Sequence, residues 1–552
     1  MKKIFTYLFI SFCTINISLA QVTQEWAAIY PNSSANTGAI DDSGNVYITG
    51  VCWLIDSHDI ITIKYNSSGV LQWVKTYNGT YSYMDIGYSI DVDKWGNVYI
   101  TGVTNWNSYY TTSDYCTIKY SSSGILQWVQ IYNGSGNSID IAFSLKTDDS
   151  GNTYVTGQSV GDNYTGYDCV TIKYNTSGVK QWETRYTGSI DDYQKFNGAI
   201  ALVLDRLGNV YITGSSCWID SLSNDYCTIK YNSSGVEQWV RRYNGTGNWF
   251  DETTSIALDK LGNIYVTGGC TGSSYNSHFV TIKYNSSGDS IWTQKYFSPG
   301  GAYEDKATSI AVDSSSNVYI TGYSTGTGTQ RDFATIKYNS SGVQQWVQRY
   351  NDPYNNLDIP SSIKIDKYDN VYVTGFSDNS PRPGSGSGWD YTTIKYNSSG
   401  VQQWLQIYNS PSNSSTDYAN FLGLDKFNNV FVSGSSVQGL TTIKYSQFVG
   451  TNPSSTHIPD RFELSQNYPN PFNPSTRIRF SIPPKRGARG VEHVVLKIYD
   501  ITGREVATLI NGKLEAGIHE VDWNAGDFAS GVYFYSLQAG EFVETRKLVL
   551  IK

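Results

Sequence analysis

The chain is 552 residues long with a formal net charge of -8, and its 39% hydrophobic content is ample for a large buried core. Charged residues make up only 16% of the chain against 14% aromatic, with tyrosine far the commonest ring, a balance that suits short strands and polar turns better than helices rich in Lys and Glu. No broad basic surface is on offer, so nucleic acid is excluded as an expected partner.

Taken in chain order, the first segment has the grammar of an export signal. Lys2 and Lys3 precede an apolar run from Ile4 to Phe12, and Ser18-Leu19-Ala20 places small residues at the cleavage positions, so residues 1–20 read as a secretory signal peptide. The run is much shorter than the ~20 residues that a spanning helix needs, and no transmembrane segment is expected in the mature chain. Export permits disulfides, yet Cys116 and Cys227 stand where other repeats carry Ile61, Val170 or Val280, the place of a small buried hydrophobe. Cys217 and Cys227 are the one pair near enough in sequence to suggest a bridge. The cysteine spacings match no zinc site.

From residue 21 to 445 the chain repeats itself. Gly-Asn-Val-Tyr-Ile-Thr-Gly at Gly44 to Gly50 returns in variant form at Gly96, Gly151, Gly208, Gly262, Ser316, Asp369 and Asn428, and Thr-Ile-Lys-Tyr-Asn-Ser-Ser-Gly alternates with it from Thr62 to Thr442. A period of this order signals an array of supersecondary units, none of which buries its apolar face alone. Each unit holds four strand signals: an alternating stretch such as Ser309 to Asp313, then Val-Tyr-Ile-Thr, then Thr-Ile-Lys-Tyr, then a strand carrying a tryptophan such as Trp73 or Trp128. Four antiparallel strands per unit is the pattern of a β-propeller blade.

The two ends of the array are complementary. The last repeat stops at Tyr445 without its tryptophan strand, whereas Gln24-Glu25-Trp26 is a tryptophan strand with nothing before it. If the N-terminal strand supplies the outer edge of the last blade, eight four-stranded blades close without an open edge; seven blades or an open solenoid are the alternatives. The Gly-Asn-x-Tyr-x-Thr-Gly core at Gly96 to Gly102 resembles that of bacterial seven-bladed β-propeller repeat proteins over about Gln24 to Tyr445, a resemblance that implies a propeller and brings no catalytic residues with it.

Two intervals are constant throughout the array. The turn aspartate (Asp41, Asp93, Asp148 and their counterparts) lies nine residues before the glycine of each Thr-Gly pair, as from Asp41 to Gly50, and Thr62 lies eleven before Trp73, as in every complete copy. The first-to-second and third-to-fourth connections are therefore uniform, while the other two vary. Alternate connections emerge on opposite faces, so the variable loops gather on one face, where function tends to reside. That face carries aromatics the repeat does not require: Trp53, Trp106, Tyr109, Tyr110, Trp218, Trp249, Tyr275 and Trp389. Rings among Asn, Asp and Ser suit a glycan or an extracellular protein ligand, and they equally suit packing of loop against blade.

The turn aspartates read as hairpin chemistry rather than metal ligands, since Asp accepts backbone N–H bonds and Gly takes the left-handed conformation. No metal or cofactor is expected. Five scattered histidines form no readable nucleophile and base pair, so a binding scaffold without catalysis is the leading expectation and a polysaccharide hydrolase or lyase the alternative.

After a polar linker, 446–460, residues 461–552 change character. Short alternating strands around Val494 to Tyr499, Val521 to Trp523 and Val532 to Tyr535 indicate a small Ig-like β-sandwich. The phrases Leu464 to Pro474 and Arg546 to Leu550 closely resemble the type A C-terminal sorting domain of the type IX secretion system. That resemblance implies recognition by the type IX machinery, passage through the periplasm, and release or display at the outer cell surface with removal of the tag.

Overall fold

Every regular element among the described residues is a β-strand, as the composition requires. The computed structural model describes residues 22–53, 57–80, 84–107, 111–161, 166–188, 195–196, 198–217, 224–246, 249–272, 276–299, 301, 304–380, 388–410, 416–447, 459–483, 491–525 and 528–551. The expected signal peptide, 1–20, lies outside them, as does most of the linker. The chain divides into two compact units, one spanning Gln24–Ser446 and the other including Gln447–Lys552.

In the first unit each repeat is a four-stranded antiparallel array. The first repeat runs Ser33–Ile40, Val46–Trp53, His58–Tyr65 and Leu71–Tyr77, with neighbours in chain order. Seven repeats follow this plan. In the last, the strands Tyr418–Leu424, Val430–Ser436 and Gly439–Gln447 are joined at the outer edge by Val22–Tyr30 from the N-terminus. A single parallel pair, His58 with Met84, links the first two repeats into one sheet. The first strands of successive repeats pack together, and that of the last repeat packs on that of the first.

The repeated phrases have separate mechanical tasks. The first strand bulges at the same point in each repeat, as between Ala35 and Thr37, which presses a backbone carbonyl onto the second strand. A Cβ at Gly50 would sit 2.0 Å from Ser34 O, and one at Gly102 would sit 1.9 Å from Ile86 O. Only glycine fits there. The bulged residue itself often reaches the next repeat: Asn36 Nδ2 donates to Gly87 O at 2.9 Å, Thr254 Oγ1 to Ala307 O at 2.8 Å and Ser361 Oγ to Ala419 O at 2.6 Å. Asn420 Nδ2 donates to Ala35 O at 2.8 Å, carrying the pattern from the last repeat to the first.

A second row crosses each repeat. Tyr47, Lys64 and Trp73 are register partners on adjacent strands, so they share one face. Lys64 Nζ and Trp73 Nε1 both donate to Ser122 O of the next repeat, at 3.1 and 3.2 Å. The indole also lies against Gly124, where a Cβ would approach it to 2.9 Å. The last repeat builds the same row from both ends of the chain: Lys444 Nζ and Trp26 Nε1 donate to Ser67 O at 3.1 and 3.3 Å, and Glu25 pairs with Lys444 at 2.7 Å. Trp404 faces the last repeat, whose sequence has no counterpart of the Asn-Ser-Ser-Gly turn after Tyr445, and among the described residues its buried Nε1 has no partner.

The C-terminal unit has two sheets. Glu463–Leu464, Ser475–Ile482 and Gly517–Asn524 form one, and Glu505–Glu515, Val491–Tyr499, Gly531–Ala539 and Phe542–Leu550 form the other. Phe480, Leu496, Trp523, Leu537 and Leu548 share their core. The proline-rich phrase is pinned rather than loose: Asn467 is buried and donates Nδ2 to Thr476 Oγ1 at 2.9 Å, and Asn470 Oδ1 accepts from Val549 N at 2.9 Å.

Trp26→Ala removes an indole from a packed interface, and the expected loss is about 3–5 kcal/mol, read by urea denaturation of the mature chain. Deleting Val22–Tyr30 lowers the melting temperature further and leaves an edge open to aggregation. Equal melting temperatures with and without that strand would show that it contributes nothing to holding the array.

Candidate functional site

The two ends of each repeat are built for different purposes. At the constant end, Asp41 Oδ1 accepts from Ser43 N and Asn45 N at 2.9 Å, while Oδ2 accepts from Asn45 Nδ2 at 2.7 Å and Tyr47 Oη at 3.0 Å. The carboxylate is fully used by its own hairpin, as the turn reading expects. The position of Gly44, at φ 77°, is taken by Ser316, Asp369 and Asn428 at φ 61–62° in three repeats, a strained geometry that this bonded turn tolerates.

The opposite end carries the variable loops, and most of them hang from buried acid. The first strand opens on an aspartate in most repeats. Asp85 takes Gly79 N at 2.7 Å, Thr104 Oγ1 at 2.6 Å and Asn105 N at 2.9 Å; Asp251 takes Gly245 N at 2.5 Å and Thr271 N at 3.1 Å; Asp305 takes Ser298 N at 2.9 Å and Thr325 N at 3.0 Å. One side chain thus fixes both loops of the variable face. Sequence reasoning passed over this set, although each lies eight residues before its turn aspartate, as Asp85 does before Asp93. A second set of aspartates recurs at the start of the third strand and binds side chains: Asp168 holds Arg185 at 2.8 Å and Asp332 holds Arg349 at 2.7 Å.

Burial makes these carboxyls weak acids. It raises Asp140, Asp225 and Asp390 to about 6 and Asp358 to about 8, the last also facing the charges of Asp352 and Asp332. Asp358 is fully buried and accepts from Asp352 N at 2.9 Å through Oδ2, and a low-dielectric site disfavours its charged form. His278 is lowered to about 4 by burial and by Lys295, and stacks on Phe297 at 4.6 Å. Among the described residues, no group of three or more His, Cys, Asp and Glu is placed to hold a metal ion. Cys227 is a buried free thiol, raised to about 12 by burial, so the bridge to Cys217 is not formed.

The eight aromatic candidates divide unevenly. Tyr109, Tyr110, Trp218 and Tyr275 lie outside the described residues. Trp53 ends the second strand of the first repeat with 45% of its surface exposed. Trp106 and Trp249 are half-buried. Trp389 is half-buried as well, stacked on Phe376 at 5.3 Å and meeting Tyr418 edge-on at 4.9 Å, so it joins two repeats. The four described candidates thus belong to different repeats: Trp53 and Trp106 end the second strands of the first two, Trp249 lies between the fourth and fifth, and Trp389 begins the third strand of the seventh. The structure adds three that sequence reasoning missed: Phe250, Phe297 and Tyr354 are exposed in the connections after the fourth strands of three successive repeats. A signal existed for Phe297, which stands where other repeats have Asn78, Asn133 or Asn351.

With this geometry in place, known proteins divide the chain in the same way. Residues 466–552 match the model of the secretion system C-terminal sorting domain, and residues 238–279 and 291–328 match the β-propeller repeat. The chain carries bacterial β-propeller repeats and a type IX sorting domain. The sorting domain indicates secretion or display at the outer surface and an encounter with the secretion machinery. An uncharacterised WD repeat-containing protein of Acanthamoeba polyphaga mimivirus is 23% identical over 58% of this chain, which spans 31% of that relative's length. A hypothetical selenium-binding protein of Sulfolobus tokodaii aligns with a TM-score of 0.39 and 8% identity over 69% of this chain and 90% of its own. A protein of unknown function from Bacteroides caccae aligns with a TM-score of 0.31 and 12% identity over 55% of this chain and 93% of its own. Among the described residues no helix is long and apolar enough to cross a membrane.

The raised carboxyls set a pH dependence. Their folded pKa values exceed the ordinary ~3.9 of an unfolded aspartate, so the folded state binds protons more tightly. Their contribution to stability is full below about pH 4 and is lost as the pH rises through about 6 and then about 8. Asp358→Asn is expected to remove the upper part of that loss: its melting temperature, followed from pH 5 to 9 alongside the parent's, declines less at the alkaline end.

Proposed function

We propose that the repeats form an eight-bladed ring closed by the strand Val22–Tyr30, and that this ring is a secreted or surface-displayed binding module without catalytic activity, delivered by a signal peptide and the sorting tail by way of the periplasm. Its ligand is a glycan or an extracellular protein, held on the variable-loop face. The observation that carries this reading is the arc of Phe250, Phe297 and Tyr354, exposed on successive connections whose anchoring aspartates are buried. A flat ring on a rigid loop gives contact area at small entropic cost. Trp53 extends the same face, and the polar loop residues around these rings supply direction. Phe297 is further fixed by its stack on the buried His278.

A glycan array and a panel of extracellular protein domains, probed with the mature chain, test this reading. Phe297→Ala or Tyr354→Ala is expected to weaken the bound signal about 10-fold or more, in keeping with the ~1.5–3 kcal/mol that burying such a ring is worth. Indifference of every detected ligand to both substitutions would refute the assignment of the face.

The tail has a separate test. A chain ending at Ser446 is expected to keep a melting transition close to that of the full chain's repeat unit, since the compact unit ends there. In the source cell the same chain is expected to accumulate in the periplasm. Its arrival at the cell surface would refute the sorting role.

A further inference from the structure

The constant face carries a pattern that the fold does not require. Between the turn aspartate and the left-handed residue, each hairpin has two free positions. Five hairpins fill them with a cation followed by a large apolar residue: Lys94-Trp95, Arg206-Leu207, Lys260-Leu261, Lys367-Tyr368 and Lys426-Phe427. The other three have neither, with Asp42-Ser43, Asp149-Ser150 and Ser314-Ser315. The substitution is all or none. Since the hairpin folds equally well around Ser315, with Asp313 accepting from Ser315 N and Asn317 N at 2.9 and 2.8 Å, the turn itself has no use for the apolar side chain.

These side chains face solvent. Exposure of the apolar member runs from 46% at Phe427 to 81% at Leu207, and the cation beside it is exposed in all five. Lys94 Nζ lies 4.6 Å from the Trp95 ring and Lys426 Nζ lies 5.2 Å from the Phe427 ring, which keeps charge and ring together. The hairpins between third and fourth strands emerge at the same end, because Val46 pairs with Tyr65 as the two turns begin. They add a second tier of exposed aliphatics: Val70, Ile125, Val179, Val236, Val343 and Val401. At the dyad positions five cations stand against two carboxylates, on a chain whose net charge is -8.

We propose that this constant face docks on an anionic lipid surface, the dyads entering the headgroup layer with each apolar side chain below its cation. Charge complementarity selects an anionic partner. The spacing selects a fluid one: the apolar tips stand singly among Asn, Ser and Gly on a rigid array, without the continuous desolvated core that a folded protein partner would need. A bilayer surface wraps separate anchors one by one, and Lys or Arg beside Trp, Phe or Leu is the side-chain chemistry of interfacial binding. The loop face at the other end of every repeat remains open outward, so failure of either surface leaves the other intact.

The test uses the full mature chain in co-sedimentation with phosphatidylcholine vesicles, with and without about one third phosphatidylglycerol. One variant replaces the five apolar members by Ser and a second replaces the five cations by Ser. Each change puts Ser at a position where Ser314 or Ser315 stands in another hairpin of the same chain, and an unchanged melting temperature verifies folding. Binding is expected on the phosphatidylglycerol vesicles only, to weaken with salt between about 50 and 500 mM, and to fall about 10-fold or more in each variant, while Val437→Ser, exposed in a connection at the opposite end, binds as the parent does. Equal binding by parent and variants overturns the proposal, as does absence of binding to the anionic vesicles. Binding to soluble polyaspartate without vesicle binding also overturns it, and assigns the face to an acidic macromolecule instead.

Discussion

The repeat array depends on one shared acceptor. A single backbone carbonyl in each turn between third and fourth strands receives both the lysine ammonium and the indole N–H of the preceding repeat, as Ser122 O does from Lys64 and Trp73. The lysine also lies 5.0 Å from the Tyr47 ring, so cation, phenol and indole form one row that no single repeat can satisfy. Each unit is therefore incomplete without its neighbour. This is why strands that would be marginal alone add up to a large stable body.

That acceptor explains the residues around it. The turn glycine exists because the indole lies where a Cβ would be, as at Gly124 against Trp73. Trp26 does for the last repeat what an internal tryptophan does for the others, down to the same acceptor, Ser67 O. The exception is equally informative. Trp404 faces the repeat whose third strand ends the array, and among the described residues its buried Nε1 has no acceptor.

Rigidity at the constant end and anchoring at the variable end are linked. Hairpins that spend every carboxylate oxygen internally fix the strands, and the strands present Asp85, Asp251 and Asp305 at a constant depth beneath the loops. The loops can then differ in length and composition without disturbing the sheets, since two or three hydrogen bonds to a buried acid hold their ends. The cost is a set of carboxyls in poor solvent, with the acid at Asp358 raised furthest.

The sequence by itself determined the all-β class, the four-stranded unit, the turn chemistry, the complementary half-repeats at Trp26 and Tyr445, and the presence of the sorting tail. These features are local or periodic: hairpin hydrogen bonds, strand alternation and a glycine under a neighbouring ring leave the same mark in every copy, so eight imperfect copies act as their own alignment. Which aromatics meet solvent was decided only by tertiary structure. Trp389 looked as available as Trp53, yet it packs between Phe376 and Tyr418, whereas Phe297, adjacent to the repeat's ordinary Tyr296, stands exposed. The acids beneath the loops were legible as spacing, but their weakened acidity was not. Exposure and pKa depend on atoms brought together from distant parts of the chain, and a repeated sequence specifies its repeated contacts far more plainly than those single ones.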